Sequence, residues 1–458
     1  MSRELAGRKK TGDNEAWGRE PGQRLLVSTF LPILTSLLLA CGCRHLGSDC
    51  RQGPVEPEAA RVVQRARIDP DSRVAPVSLE VAIDERVYWG MTPQETQCRA
   101  AEKSGTADMM EKEHETLESQ NCLKRNSKDT RMKKTMLRHS SVEARNVAAG
   151  TALELYFRLA ELEAKSDLLR DGLLVVRDAL DDLRKVKEQG FKVPPEFAKL
   201  QKQQLELAAD LARTQLGIQQ INGELGRLLN WHDLGLHGYL WPLDSFNVSE
   251  THDDPEAAVA LGMTHRAQLS LIRAVRDDVD AKTLPTMLLL LRSYNGFLGM
   301  SRSESFISFM GAGITPGKHK EASQRRQQMD DMLREQEYVV SQEIRQAIHT
   351  IVAKTTLVSL GKQKIKIARD KLKDLEDEKE RGVGSILEIS GQRLILGQAQ
   401  GEWIQEVMAW HTARAKLKQA QGLLALECGF SPEHPWADSG KSCAVQSSAS
   451  CPELTKPR

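Results

Sequence analysis

The chain has 458 residues, and its composition favours extended helices over a compact globule. Aromatic residues make up 5% and charged residues 28% of it, whereas a compact core of this size usually draws on more aromatic and β-branched side chains. Lysine and arginine together number 64, against 63 aspartates and glutamates, so no basic face is indicated and nucleic acid is not a predicted partner.

The first 40 residues carry the features of an export signal. Leu25–Ala40 is an apolar run preceded by Lys9, Lys10 and Arg24. The run is shorter than the roughly 20 residues that a transmembrane helix needs, and a basic flank before an apolar stretch is typical of a secretion signal. It ends in Leu-Leu-Ala followed by Cys41, which looks like a bacterial lipobox. We therefore predict a signal peptide over 1–40 and lipidation of Cys41; an ordinary cleaved signal or a membrane-anchoring helix is the alternative.

The eight cysteines show none of the paired spacings that bind metals. In an oxidising compartment, Cys98 with Cys122, or pairs among the last three cysteines, could form disulfides. The sequence does not choose among these pairings. The cysteines form three groups: Cys41, Cys43 and Cys50; Cys98 and Cys122; and Cys428, Cys443 and Cys451.

Two segments of different composition follow the signal. Residues 41–80 are rich in glycine, proline, arginine and aspartate without a sustained period, which predicts a lipid-anchored flexible tether. Residues 81–140 are polar and charged, and a helical run near 92–120 makes this N-terminal segment partly helical.

Residues 141–250 are predicted to form a first helical hairpin. Apolar residues recur every seven positions from about 142 to 187, which is the spacing of helices packed as a coiled coil. Gly190 and the prolines that follow it break the pattern, and a second helix then runs to about 230. The positions in register are Leu155, Leu162, Leu169, Val176 and Leu183, with Leu159, Leu173 and Leu180, and then Leu211, Ile218 and Leu225, with Leu207, Ile221 and Leu228.

The same arrangement returns in residues 322–430, after an opening helix and possible strands in 251–321. A helix of about 322–380 stops at Arg381–Ser385, and a return helix continues the heptad spacing. The positions in register are Ile344, Ile351, Val358, Ile365 and Leu372, and then Leu396, Trp403, Trp410, Leu417 and Leu424. Arms of about 45–58 residues would span roughly 65–90 Å. Their remaining apolar seams favour a closed ring of copies, and residues 431–458 are predicted to be a disordered tail.

Four short motifs resemble the TolC-like outer-membrane efflux family, over about 140–428. Residues 382–389 read GVGSILEI and are followed by QRL at 392–394, similar to the family's hairpin tip. Residues 153–160 (LELYFRLA) and 225–230 (LGRLLN) resemble the start and end of its first hairpin, and DPEAA at 254–258 resembles the segment that opens its second repeat.

The resemblance implies two repeats, each with a hairpin that reaches into the periplasm and a strand pair in a trimeric outer-membrane barrel. Residues 100–145, where the first strand pair is expected, show no apolar alternation. Leu284–Leu291 and Ser305–Phe309 are the candidate strands of the second repeat. The predicted fold is therefore mainly α, with two long antiparallel coiled-coil hairpins and at most a short or degenerate β segment for the barrel.

The hairpin tips are the candidate partner-docking sites, because a loop at the end of a long arm has few contacts within its own subunit. Gly190, Gly382 and Gly384 permit close backbone approach, Arg381 and Ser385 supply hydrogen-bond donors, and Val383 lies between the glycines. The simpler interpretation is that the glycines only reverse the chain. Charge-dense Lys371–Arg381 is most simply solvated surface; the alternative is a tube entrance whose acidic residues select cations.

No catalytic constellation, cofactor or metal site is predicted. His232, His237 and His252 lie near one another in sequence but lack ligand spacing and paired carboxylates. The predicted function is a lipid-anchored, periplasm-spanning exit duct of the outer membrane, formed by a homotrimer that docks an adaptor protein and an inner-membrane transporter to export small molecules or polypeptides. The alternative is a structural or interaction lipoprotein that kept the hairpins and lost the barrel. An enzyme is not expected.

Overall fold

A computed structural model describes residues 62–64, 87–120, 124, 127–189, 196–235, 238–244, 246–249, 253–294, 316–382 and 385–436. The chain divides into two units, one of residues 1–52 and 288–304 and the other of residues 53–287 and 305–458. In the first unit, the described part is residues 288–294, which belong to one helix. All other described elements lie in the second unit.

The described elements are almost all helical. In chain order they are β1 Val62–Gln64, β2 Val87–Met91, α1 Pro93–Glu102, α2 Gly105–Ser119, α3 Lys128–Glu188, α4 Glu196–Leu228, β3 Gly238–Pro242, α5 Pro255–His265, α6 Ala267–Asp277, α7 Leu284–Tyr294, α8 Pro316–Glu380, α9 Ile386–Gln421 and α10 Leu423–Glu427.

The first predicted hairpin is formed by α3 and α4, which pack against each other. Ser127 caps α3 by accepting a hydrogen bond from the Thr130 N–H at 3.1 Å, and Asp129 in the first turn suits the positive end of the helix dipole. Val176 and Leu180 of the predicted register are buried, as is Ile218 of α4. Since α3 begins at Lys128 rather than near 142, its 61 residues extend well beyond the 33 residues of α4.

The second hairpin is formed by α8 and α9, and α9 also packs on α3, so the two hairpins lie side by side. Ile344, Ile351 and Val358 are buried on α8, and Trp410 and Leu417 are buried on α9. The prediction of a mainly α fold with two coiled hairpins is therefore confirmed. Again the ascending helix is the longer one, with 65 residues against 36.

A buried core of helix and strand residues lies at the base of the hairpins, where they meet the chain segments that precede and follow them. A small sheet pairs β1 antiparallel to β2, and β2 parallel to β3. The Tyr156 hydroxyl donates to the carbonyl of Met91 at 3.0 Å, and the Leu240 N–H donates to Asn222 Oδ1 at 2.6 Å. Because these polar groups are buried and paired, they fix the sheet against α3 and α4 without a desolvation penalty.

Cys98 of α1 forms a disulfide with Cys428, just after α10. The predicted Cys98–Cys122 pairing is wrong: Cys98 joins Cys428 of the C-terminal group across 330 residues of sequence, with a Cα–Cα distance of 5.2 Å. Cys443 and Cys451 lie outside the described residues. Gln97, next to Cys98, donates from Nε2 to the carbonyl of Leu424 at 2.9 Å. The pairing follows from the course of α9, which runs back along α3. This places Cys428, just after α10, next to Cys98 of α1.

Arg145 of α3 ties the same region from the other side. It is fully buried and donates to three backbone carbonyls, those of Ala101 at 2.6 Å, Glu102 at 2.9 Å and Pro435 at 3.0 Å. Its guanidinium also lies 4.4 Å from the ring centre of Phe430. Residues 431–436, assigned above to a disordered tail, are instead packed against α3.

Two predictions are wrong in part, a candidate strand of the second repeat and the flexible tether after the signal. Leu284–Leu291, a candidate strand, lies in the helix α7. Four consecutive leucines lack strand alternation and favour a helix, and Pro285 is in the first turn, where it is tolerated. Just before the helix, Asp280 accepts hydrogen bonds from the Lys282 and Thr283 N–H groups at 2.7 and 3.0 Å. Within the predicted tether 41–80, Val62–Gln64 forms the strand β1. Ser305–Phe309 lies outside the described residues.

The predicted helical run near 92–120 forms α1 and α2, and α1 begins with a capping box between Thr92 and Glu95. None of the helices in the described ranges is both long and apolar enough to cross a membrane.

Candidate hairpin tips and assembly faces

The tip of the second hairpin is a tight reversal between α8 and α9. Gly382 has a φ of +83°, in the left-handed region that favours glycine, and its N–H donates to the carbonyl of Lys379 at 2.9 Å. A Cβ on Gly382 would meet no other atom within 4 Å. Glycine is therefore required at this position by the backbone conformation and not by a crowded neighbour.

The groups beside Gly382 are free to meet a partner. Arg381 and Ser385 are exposed, and Ser385 occupies the cap position of α9 without a side-chain capping bond. Ile386 follows with 40% of its surface exposed. Two hydrogen-bond donors and one apolar side chain thus surround the turn. Val383, Gly384 and Gly190 of the predicted docking set lie outside the described residues, as does Cys41.

The ends of the two hairpins are in contact with each other. Val176, Leu180 and Leu183 of α3 form a buried cluster with Leu200 of α4, and Leu387 of α9 packs against this cluster. Further down, the Gln392 side chain donates from Nε2 to the carbonyl of Ala368 at 2.9 Å. The first two turns of α9 therefore contact both hairpins. A partner at the tip of the second hairpin would also be close to the end of the first hairpin.

Charged side chains near the tips are mostly exposed and paired along their own helix. Lys185 lies 3.0 Å from Asp182, and this hydrogen bond raises the pKa of Lys185. Arg393 reaches across from α9 to Glu376 of α8 at 2.9 Å. Pairs of this kind contribute little to stability because solvent screens them. They agree with the solvated-surface interpretation of Lys371–Arg381, and the cation-selecting entrance stays a hypothesis.

Large apolar residues are exposed on α4 and α8, the outer helices of the two adjoining hairpins. On α4, Leu205 and Leu216 expose 60% and 56% of their surface; they are 11 residues apart and so share a face. On α8, Val352 and Ile367 expose 59% and 69%, with Leu360 between them. Single exposed apolar residues are ordinary, but stripes on two outer helices are typical of an interface. The heptad spacing did not predict them, because none of the five lies in the buried register.

The connector histidines are not brought together in the part of the chain that can be described. His232 is exposed, while His237 and His252 lie outside the described residues. No group of three or more possible metal ligands occurs among the described side chains.

The helical arrangement is similar to that of a solved outer membrane channel. The Campylobacter jejuni CmeC outer membrane channel superposes with a TM-score of 0.55 at 10% identity, over 74% of this chain and 86% of that chain. The chain has the fold of the TolC-like outer-membrane channels. Two further similar structures are the outer membrane protein VceC from Vibrio cholerae (TM-score 0.48, 15% identity, 64% of this chain and 74% of that one) and the Neisseria gonorrhoeae MtrE outer membrane channel in its open state (TM-score 0.41, 10% identity, 72% and 88%). No family model matches the sequence, and no curated protein does. The TolC-like fold is therefore recognised from the arrangement of the helices.

Proposed function

We propose that this protein is an efflux component of the outer membrane: a homotrimeric duct that spans the periplasm and docks an adaptor protein and an inner-membrane transporter. The observation that carries the proposal is the TolC-like pair of hairpins, which matches most of the length of a channel protein. The exported substrate would be a small molecule or a polypeptide, and energy would come from the transporter.

The exposed stripes support assembly into a ring. Within one subunit, α4 packs on α3, α3 on α9, and α9 on α8, so α4 and α8 are the outer members of this row of helices. If α4 of one copy packs against α8 of the next, Leu205 and Leu216 become buried against Val352 and Ile367. Such a head-to-tail interface closes into a ring when the rotation between copies permits it.

The disulfide supports export from the cytosol. Disulfides persist in oxidising compartments such as the bacterial periplasm and are rare in the cytosol, and Cys98–Cys428 joins two helical segments of the described fold. This agrees with the predicted signal over 1–40 and with lipid anchoring at Cys41, which would hold the protein at the outer membrane.

The first experiment is a molar mass measurement on the detergent-extracted mature protein by size-exclusion chromatography with light scattering. We expect a trimer, and we expect Leu205→Glu with Ile367→Glu to give monomers because a charge is placed on each side of the interface. Leu261→Glu is the matched control, since Leu261 is a leucine with 44% exposure on α5, a helix that carries neither stripe. A monomeric wild-type protein would contradict the duct.

A second experiment addresses transport and docking. Deletion of the gene should raise the intracellular level of at least one exported compound under inducing conditions, and Gly382→Leu or Ser385→Trp should reduce adaptor capture. If adaptor capture and export are both unchanged in folded tip variants, the docking proposal is wrong.

The second candidate function is a lipid-tethered helical scaffold. The observation that favours it is α7: where the resemblance implies a membrane strand, Leu284–Tyr294 is helical. A monomer or dimer in the mass measurement, together with unchanged efflux on gene deletion, would favour the scaffold over the duct.

A further inference from the structure

A pocket lies between the two hairpins, where α3, α8 and α9 meet the connector of residues 246–248. Its volume is about 280 Å³, and its walls are mostly apolar, with Phe246 from the connector and Trp403, Val407 and Met408 from α9. We call this the Trp403 pocket. It lies far from the tips in sequence, and neither the ring nor the docking proposal uses it.

Close approach between α8 and α9 shapes this pocket. A Cβ added to Gly361 of α8 would lie 3.0 Å from Cδ1 and 3.3 Å from Cβ of Trp403, so the absence of a side chain at Gly361 lets the indole lie against the helix. On the opposite wall, Ala160 and Ala164 of α3 are small and one turn apart. Gly361 and the two alanines leave the space that larger residues would fill.

Two polar groups at the pocket are uncommitted, and both are donors. The indole Nε1 of Trp403 is buried and has no hydrogen-bond partner among the described residues. Lys362 follows Gly361, is exposed at the mouth of the pocket, and forms no ion pair with a described carboxylate. A buried donor without a partner is unfavourable by about 1–3 kcal/mol, and in native proteins such a group commonly marks a site for a missing ligand or water.

We propose that the Trp403 pocket binds a small amphipathic monocarboxylate. Its apolar body would pack on Phe246, Val407 and Met408, and its carboxylate would pair with the Lys362 ammonium. A small rotation of the indole on ligand entry would bring the Nε1–H of Trp403 to a carboxylate oxygen. An amine of the same shape would face Lys362 with like charge, and an alcohol would lack the ionic contact. Mostly apolar walls with a few placed polar groups are typical of small-molecule sites.

Calorimetric titration of the full-length protein in amphipol tests this, with 4-phenylbutyrate as the probe and 4-phenylbutan-1-ol and 4-phenylbutylamine as probes of matching shape. We expect the acid to bind at least tenfold more tightly than the alcohol and the amine not to bind. Lys362→Met removes the charge and keeps most of the aliphatic stem, so it should weaken binding of the acid about threefold, as expected for an ion pair at an exposed lysine, and leave binding of the alcohol unchanged. Lys371→Met is the matched control, because Lys371 is exposed nine residues further along α8, on nearly the opposite face.

A pair of filling variants tests the location. Ala164→Leu should abolish binding by occupying the pocket, whereas Ala260→Leu, on the exposed surface of α5, should leave it unchanged. Trp403→Phe should weaken the acid and leave binding of the alcohol nearly unchanged. The proposal is overturned if the three probes bind alike, if the two lysine variants behave alike, or if Ala164→Leu still binds the acid. Because these titrations do not depend on oligomer mass or export, failure here leaves the duct proposal standing.

Discussion

Removal of the Cys98–Cys428 disulfide should strongly destabilise the base of the hairpins. The perturbation is the double variant Cys98→Ser with Cys428→Ser, which keeps side chains of similar size at both positions. Because Cys428 is largely buried, the serine hydroxyl there adds a small desolvation penalty. The main loss is the cross-link itself, which joins α1 to Cys428, just after α10.

The magnitude follows from the length of chain that the cross-link closes. With a sequence separation of 330 residues, the chain-entropy relation gives about 6 kcal/mol at 25 °C for the restriction of the unfolded state. Measured effects in natural proteins usually stay within about 2–5 kcal/mol, because unfolded chains retain structure. We therefore expect the variant to lose about 3–5 kcal/mol of unfolding free energy.

Urea unfolding followed by far-ultraviolet circular dichroism, with and without dithiothreitol, measures this loss. Reduction should lower the midpoint of the wild-type protein toward that of the variant, while the variant itself should respond little to reductant. The reasoning is refuted if peptide mapping finds free thiols at both cysteines, if each is joined to another cysteine, or if the oxidised wild type and the variant unfold at the same urea concentration.

Three further predictions concern single residues. Gly382→Leu should destabilise the tip by about 1–2 kcal/mol because of the left-handed φ at this position, and it should reduce adaptor capture. Gly397→Leu, at a helical site with open space around it, should change neither stability nor capture. Urea midpoints measure the stability, and pull-down measures the capture. Burial lowers the pKa of His411, so the folded state binds fewer protons than the unfolded state as the pH drops below about 6.5, and the unfolding free energy falls. Urea unfolding between pH 7 and 5 should show a shallower decline of the unfolding free energy for His411→Gln than for the wild type. Arg145→Met leaves the buried carbonyls of Ala101 and Pro435 without this donor and should lower the unfolding free energy by about 3 kcal/mol. An unchanged urea midpoint would contradict the role given to Arg145.

The hairpins were predictable because their signal is repeated and local. Val176 and Leu180 on α3, and Ile344 and Ile351 on α8, recur at the heptad spacing and are all buried. Each helix carries this information within its own sequence, so no knowledge of distant contacts was needed. The position of the second tip was predictable for the same reason, since Gly382 interrupts the register between two such helices.

The features that join distant segments were not predictable from local patterns. Cys98 was grouped with Cys122 by proximity in sequence, yet its partner is Cys428 because α9 returns along α3. Arg145 gave no signal, since an arginine on a helix is usually solvated and only the fold places three carbonyls around it. Leu284–Leu291 was assigned to a strand from the implied repeat, although its own composition favours the helix that forms.

The base and the tips of the hairpins differ in how they are held, and this difference makes a last prediction. At the base, Asn146 donates to the carbonyl of Gln419 at 2.9 Å, and the disulfide and Arg145 fix the adjoining segments. Near the tips the contacts are one apolar cluster and exposed ion pairs, which solvent screens.

Local opening should therefore begin at the tips, because segments with few buried contacts have the lowest local stability. Amide exchange should be fast over 181–189 and 376–382 and slow over 145–160 and 407–420. Adaptor binding should slow exchange at the tips without changing the base. Uniform exchange along α3 would mean that the hairpin opens as a single unit, and it would contradict the difference in local stability between base and tips.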